Sequence, residues 1–328
     1  MSDIPGLAEL ERAADLVHAV MPPTPQYRWP LLCERAACEI WVKHENQTPA
    51  GAFKIRGGIV YMDDLRRSRP EVKGVIAATR GNHGQSVAFA ASRAGLTSTV
   101  VVPEGNSVEK NAAMRAFGAE LIVHGHDFQA SLEHATRLAE ERGLHMLASF
   151  HPLLVAGVGT YALELFRAVP DLDAVYVPIG LGSGICGVMA ARDAVGSKAE
   201  VIGVVAANAP AYALSFEAGA PVSTNNAGSM ADGVDCRVPV PGAVDAILAG
   251  ASGVVRVSED EIKAAMRHYF TDTHNVAEGA GAVPLAALLK ERDRWQGRKV
   301  GLILSGGNVD RPVYQAVLSE GDESETGT

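Results

Sequence analysis

The sequence has few cysteines: Cys33, Cys38, Cys186 and Cys236 occur among 328 residues, with no CxxC pair. It also has no apolar secretory stretch within Met1 to Leu10, where Asp3 and Glu9 already stand. Together these predict a reducing, cytoplasmic setting. No apolar run approaches the roughly 20 residues that a spanning helix needs, so no membrane partner is expected. Positive charge is scarce as well. Asp and Glu number 38 against 29 Lys and Arg, a net charge of −9, and no basic cluster exceeds pairs such as Arg66-Arg67. A polyanion would need a basic face, so a nucleic-acid partner is excluded. No internal repeat is evident.

What is present is an ordinary globular composition, 47% hydrophobic and 20% charged,. The length suits two domains, or one large α/β unit with an inserted lobe. Apolar periodicity predicts a helix over 6–20, ended by Met21-Pro22-Pro23-Thr24-Pro25, and a strand over 39–44. A further helix runs from the Gly57-Gly58 region towards Arg69-Pro70. The run Val75-Ile76-Ala77-Ala78, inside a strand over 72–79, reads as a buried parallel strand. Strands over 98–102, 119–123, 174–179, 201–205 and 300–304 alternate with helices over 85–94, 108–117, 128–141, 152–166, a segment ending at 194, 279–289 and 311–318. Ser258-Glu259-Asp260-Glu261 predicts a capping box opening a helix to Phe270. Residues 219–233 read as a long ordered loop, and 319–328 as a frayed acidic tail. The fold class is therefore α/β, with two open twisted lobes, parallel-rich sheets and a cleft between them.

The segment Gly51-Ala52-Phe53-Lys54-Ile55-Arg56-Gly57-Gly58 places one lysine between an aromatic ring and a glycine pair. An amine among apolar neighbours loses ammonium hydration, its pKa falls, and it becomes a nucleophile towards carbonyls. A solvated surface lysine is the competing reading. Gly180-Leu181-Gly182-Ser183-Gly184 joins a strand to a helix, and its amides can surround a phosphate. A tight packing turn would explain the glycines equally well. A dinucleotide site would need an acidic residue after the next strand, and Ala206-Ala207-Asn208 stand there instead. Gly81-Asn82-His83-Gly84-Gln85 follows one strand and Ser305-Gly306-Gly307-Asn308 another.

With Lys43-His44-Glu45-Asn46-Gln47, these segments resemble in order and spacing the fold-type II pyridoxal-phosphate enzymes, closest to the threonine and serine dehydratase and serine racemase group. The resemblance runs from about Thr24 to Asn308. It implies a large cofactor-binding domain (1–74 and 154–328), a small inserted domain (75–153) and a homodimer. Lys54 would hold pyridoxal 5'-phosphate as a Schiff base and then remove the α-proton of an amino acid substrate. Gly180, Leu181, Gly182, Ser183 and Gly184 would hold the phosphate. Asn82 would bond the phenolic oxygen, while Thr79, Gly81 and neighbouring amides would hold the substrate carboxylate. Ser305 would meet the pyridine nitrogen, a neutral partner that favours elimination over transamination. Phe53 and Glu278 would lie near the cofactor; core packing and a helix-start carboxylate are their alternatives. His83 is either structural or catalytic.

The implied reaction is dehydration of a threonine-like or serine-like β-hydroxy amino acid to a 2-oxo acid and ammonia, with 3-hydroxyaspartate and phenylserine as further substrates. Racemisation is the nearest rival. Racemases of the group carry a serine before Gly-Asn-His, and here Arg80 stands, a poor proton donor. Arg80 either binds a substrate carboxylate or forms a salt bridge across the cleft. β-Replacement is disfavoured, because those relatives carry Asn-Thr-Gly, and a cofactor-free binding protein would be colourless. His124-Gly125-His126-Asp127 invites a metal. However, Asn226-Ala227-Gly228-Ser229-Met230 lacks the acidic residue that metal-activated relatives place before Ala-Asp-Gly, so no metal is expected. Little chain follows Asn308, so a catabolic enzyme without a regulatory domain is expected.

Overall fold

The computed structural model describes residues 4–225 and 227–320. Most of the expected acidic tail, and Asn226, lie outside the described residues. The strands in chain order are Gln26–Arg28 (β1), Glu39–His44 (β2), Gly74–Ala78 (β3), Thr97–Val102 (β4) and Glu120–Val123 (β5). They continue with His145–Met146 (β6), Ala174–Pro178 (β7), Glu200–Ala206 (β8), Gly253–Val257 (β9) and Lys299–Leu304 (β10). The helices begin with Leu7–His18 (α1), Pro30–Ala36 (α2), Lys54–Ser68 (α3), Asn82–Arg93 (α4), Val108–Ala116 (α5) and Phe128–Arg142 (α6). Pro152–Ala168 (α7), Ser183–Ala194 (α8), Ala211–Ala218 (α9) and Pro241–Gly250 (α10) follow. Glu259–Thr273 (α11), Gly279–Lys290 (α12) and Arg311–Ser319 (α13) complete the set.

Two sheets result. A four-stranded sheet has the order β5-β4-β3-β6, and a six-stranded sheet the order β1-β2-β10-β7-β8-β9. Every pairing is parallel except β1 with β2. Strands buried on both faces need continuous apolar runs, and β3, as Gly-Val-Ile-Ala-Ala, is buried throughout,. In the large sheet the two faces feed two cores. Val175, Val177, Val201 and Val205 pack with α7, α8 and α10, whereas Tyr176, Ile202 and Val204 pack with α11 and α12. In the small sheet Val75 and Ala77 face α3 and α4, and Ile76 and Val101 face α6. Among the described residues no helix is long and apolar enough to cross a membrane.

The capping box is present: Ser258 Oγ accepts from Glu261 N at 3.2 Å, and Glu261 Oε2 accepts from Ser258 N at 2.7 Å. Of the loop expected over 219–233, residues 219–231 form no regular element among those described, and its end lies in a short 3₁₀ turn, Asp232–Val234. Two starts differ in a way that matters. The helix expected from Gly57 begins at Lys54, and the one expected from Gln85 begins at Asn82. Glycine is a poor helix former, which hides both starts in the sequence. It serves contact instead, since a Cβ at Gly57 would stand 2.9 Å from the Leu154 carbonyl oxygen of α7. The helices α2, α9 and α10 and the strands β1, β6 and β9 were not expected.

Candidate active site

Four chain segments meet at the carboxyl ends of the strands, where open α/β sheets bind their ligands. The end of β10 is stapled to the start of α3. Phe53 N donates to the Ser305 carbonyl at 3.0 Å, Ala52 and Gly306 form an antiparallel bridge, and Gly307 N donates to Gly51 O at 2.9 Å. Gly51 has φ +67°, and a Cβ there would collide with the Asn308 amide. Lys54 is the first residue of α3. Its Nζ lies 3.4 Å from Ser183 Oγ and 5.1 Å from the Phe53 ring centroid. The side chain keeps some accessible surface, yet the amine lies deep enough for burial to bring its pKa down to about 8. A neutral amine is therefore available near neutral pH, as the sequence predicts.

Ser183 opens α8 behind Gly182, whose φ is +100°. A Cβ at Gly180 would collide with the Gly233 carbonyl oxygen, whereas one at Gly184 would have ordinary room. The Leu181 carbonyl accepts from Tyr212 Oη at 2.9 Å, which fixes the loop and leaves the amides of the first turn of α8 free for an anion,. Close packing thus accounts for Gly180 but not for Gly184.

On the opposite wall, Thr79 Oγ1 accepts from Gly81 N at 3.0 Å and closes the turn that opens α4. Asn82 is held at both ends. Its Nδ2 donates to Glu278 Oε1 at 2.6 Å, and its Oδ1 accepts from Asn308 Nδ2 at 2.9 Å. One amide hydrogen remains for an oxyanion. Glu278 is buried at the residue before α12, its side chain making no cap hydrogen bond, and burial raises its pKa against the pull of Lys110 and Asn82. Lys110 Nζ lies 3.6 Å from Glu278 Oε2 and 3.4 Å from Asp232 Oδ2. Burial would lower Lys110, but the two carboxylates outweigh it and raise the pKa. Lys110 therefore keeps its proton, and Glu278 is the partner that gains one as pH falls.

Ser305 is buried, and its hydroxyl has no hydrogen-bond partner among the described residues. His83 Nε2 is likewise buried and unpartnered, and burial together with the Lys54 charge brings that imidazole down to about 3. Phe53 packs edge-on against Tyr161 at 6.0 Å, so its core-packing role is realised whatever else it touches. Arg80 is half-exposed and its guanidinium reaches Asp235 at 3.5 Å, the salt bridge that was the alternative to a substrate contact. Lys110, Asp232 and Asn308 had no expected role. Lys110 sits in an ordinary amphipathic pattern with no sequence signal, whereas Asn308 ends a motif whose glycines drew attention instead.

His124 stacks on His134 at 3.8 Å, and Asp127 caps α6 through Ala130 N at 2.9 Å. Among the described residues no three metal-ligating groups converge. A hollow at the outer edge of the small sheet, lined by Thr97, Thr99, Glu120 and Arg142 among others, has its one cation already held by Glu120 at 2.8 Å. The reactive groups lie in the cleft at Lys54, not there.

These residues fit pyridoxal phosphate: a depressed lysine, a helix N-terminus with free amides, an unpaired serine hydroxyl and an orphaned imidazole nitrogen. A family model described as "Pyridoxal-phosphate dependent enzyme" matches residues 19–306. The chain belongs to this family. The matched span of this pyridoxal-phosphate enzyme holds every cleft residue from Phe53 to Ser305, and Asn308 stands two residues beyond it. The L-threonine ammonia-lyase of Geobacter sulfurreducens is 38% identical over 289 residues, 88% of this chain and 72% of that protein. The processed form of threonine deaminase isoform 2 from Solanum lycopersicum superposes with TM-score 0.87 at 29% identity, covering 98% and 96% of the two chains. Maize serine racemase superposes with TM-score 0.90 at 25% identity, covering 98% of each. The expected family, fold class and cofactor are thereby borne out.

Proposed function

We propose that this chain is an ammonia-lyase that dehydrates a threonine-like or serine-like β-hydroxy-L-amino acid to a 2-oxo acid and ammonia. The observation that carries the reading is the buried Lys54 amine, brought to about 8 and standing beside Ser183 at the head of α8. Pyridoxal phosphate, when bound, supplies an electron sink for the α-carbon. The residues do the rest. The first-turn amides of α8 would hold the phosphate, Ser305 would offer a neutral hydroxyl, and Asn82 would spare one hydrogen for an oxyanion. Thr79 fixes the Gly81 turn so that the first amides of α4 face the substrate carboxylate. Lys54 takes the α-proton.

Arg80 is engaged by Asp235 and stays protonated, which leaves it a poor donor for racemisation,. We assign 75–153 to a small domain inserted in a large one, in keeping with the placement of β3 to β6 in one sheet. We further infer a cytoplasmic homodimer.

The test is 2-oxo acid release from L-threonine and L-serine by the protein supplied with pyridoxal phosphate. Release is expected with at least one of them, and Lys54→Ala should lower kcat by roughly 10²–10⁴-fold or more. Interconversion of enantiomers with no 2-oxo acid would instead make the enzyme a racemase.

A further inference from the structure

Behind α3, away from the cleft, lies a charge cluster with no part in the chemistry above. Arg56 is fully buried and makes two paired contacts. Its Nε and Nη2 reach Glu45 at 2.7 and 2.9 Å, and Nη1 and Nη2 reach Glu164 at 2.6 and 3.0 Å. Nη1 also donates to Thr160 Oγ1 at 2.9 Å and Nη2 to Thr24 Oγ1 at 3.2 Å. Lys43 Nζ joins Glu164 at 2.5 Å and the Thr24 carbonyl at 2.6 Å, and His18 Nε2 meets Glu164 at 2.8 Å. The cluster thus ties α1, the end of β2 and α7 to one side chain of α3.

Stability alone is a weak reason for such a cluster, because apolar groups of similar volume serve a core as well or better. Geometry is a stronger one. A guanidinium fork fixes direction in a way a greasy side chain does not. Arg56 follows Lys54 by two residues, about 200° around a helix of 3.6 residues per turn, so the two leave α3 on nearly opposite sides. Turning α3 to swing Lys54 out of the cleft would pull Arg56 off both carboxylates. The backbones of α3 and α7 are also in near contact, since a Cβ at Gly157 would collide with the Arg56 carbonyl.

We infer that Arg56, Glu45, Glu164 and Thr160 are positioning residues that lock the rotation of α3 and so hold Lys54 in the cleft beside Ser183. This rests on Lys54 being the reactive amine. Loosening the lock lets the amine hydrate, and its pKa climbs back towards the ordinary lysine range. The sign is diagnostic. Removing the Glu164 charge through space alone would lower the Lys54 pKa further, because a negative charge favours the ammonium; only movement raises it.

The experiment is a pH profile of Lys54 acetylation, read by mass spectrometry on the full chain after bound cofactor has been removed with hydroxylamine. It compares the parent with Glu164→Gln, the milder Thr160→Val, and Leu138→Ala in the small-sheet core as a control for general destabilisation. The parent should titrate near 8. Glu164→Gln should move the midpoint up and cut labelling at pH 8 by about threefold. Thr160→Val should do the same to a lesser degree, and Leu138→Ala should leave the profile unchanged. A lowered melting temperature in Glu164→Gln with an unmoved or lowered Lys54 midpoint overturns the inference. Should Glu164→Gln not fold, an unmoved profile in Thr160→Val overturns it alone. A parent Lys54 that titrates as a surface lysine defeats the reading of Lys54 itself, and the inference with it.

Discussion

At the scale of the residue, the chemistry depends on groups held away from their ordinary ionisation. Burial lowers Lys54 to about 8 and, with the Lys54 charge, His83 to about 3. Glu164 is brought to about 2 because Arg56 and Lys43 outweigh the burial that would raise it. The last two shifts make a pH prediction. An imidazole lowered on folding is protonated first in the unfolded chain, so stability falls as pH drops from 6.5 towards 3,. A carboxylate lowered on folding gives stability that is complete above 4.5 and lost between 4.5 and about 2,. Melting temperature against pH should therefore decline in both windows, and His83→Asn should lessen the upper decline, to which the buried His44, lowered to about 4, also contributes. A decline over 6.5 to 4.5 that His83→Asn leaves undiminished would contradict the buried neutral imidazole. Much of this site was legible in the sequence, because Asn82 and Ser183 lie beside glycine at strand–helix junctions, Ser305 precedes a glycine pair after β10, and Lys54 stands between Gly51 and the Gly57-Gly58 pair. Lys110 was not legible. Its role comes from Asp232 and Glu278, more than 120 residues away along the chain.

At the scale of the element, the parallel strands announced themselves as short apolar runs, and their order along the chain fixed the α/β class. Helices α2 and α10 did not, being short and opening on proline where a turn is an equally natural reading,. The glycines of α3 hid its true start for the opposite reason: they are there for contact, not for propensity. Gly57→Ala tests this. Its Cβ would stand 2.9 Å from the Leu154 carbonyl oxygen, and overpacking of this kind costs roughly 1–3 kcal/mol. Thermal unfolding should show a clear drop in melting temperature. An unchanged or raised value, as expected if Ala simply improved the helix, would mean that α3 and α7 are not in tight contact.

At the scale of the whole molecule, the helices and loops around the small sheet meet those around the large one along a polar seam. Lys110 joins Asp232 and Glu278, Arg80 joins Asp235, Ser107 joins Asp310, and Arg311 N donates to Glu109 at 2.9 Å. The contacts differ in weight. Arg80 is half-exposed, and pairs of that kind contribute about 0–1 kcal/mol. Lys110 is buried between two carboxylates, and removing one partner of a buried pair costs about 3–5 kcal/mol. Arg80→Ala should therefore leave the melting temperature nearly unchanged and reduce turnover of L-threonine and 3-hydroxyaspartate equally. A selective loss on 3-hydroxyaspartate would show that Arg80 leaves Asp235 to bind the second carboxylate. Apart from Arg80, whose salt bridge was one of two expectations, nothing in the one-dimensional pattern marks this seam, because its partners are brought together only when both sheets have formed.

The central claim is that Lys54 is the amine that anchors pyridoxal phosphate. It is tested most directly by loading the protein with the cofactor, reducing it with borohydride and mapping the modified peptide. The account predicts a pyridoxyl group on Lys54 and no such product in Lys54→Ala. A label on another lysine, or none on a folded and loaded protein, would contradict it.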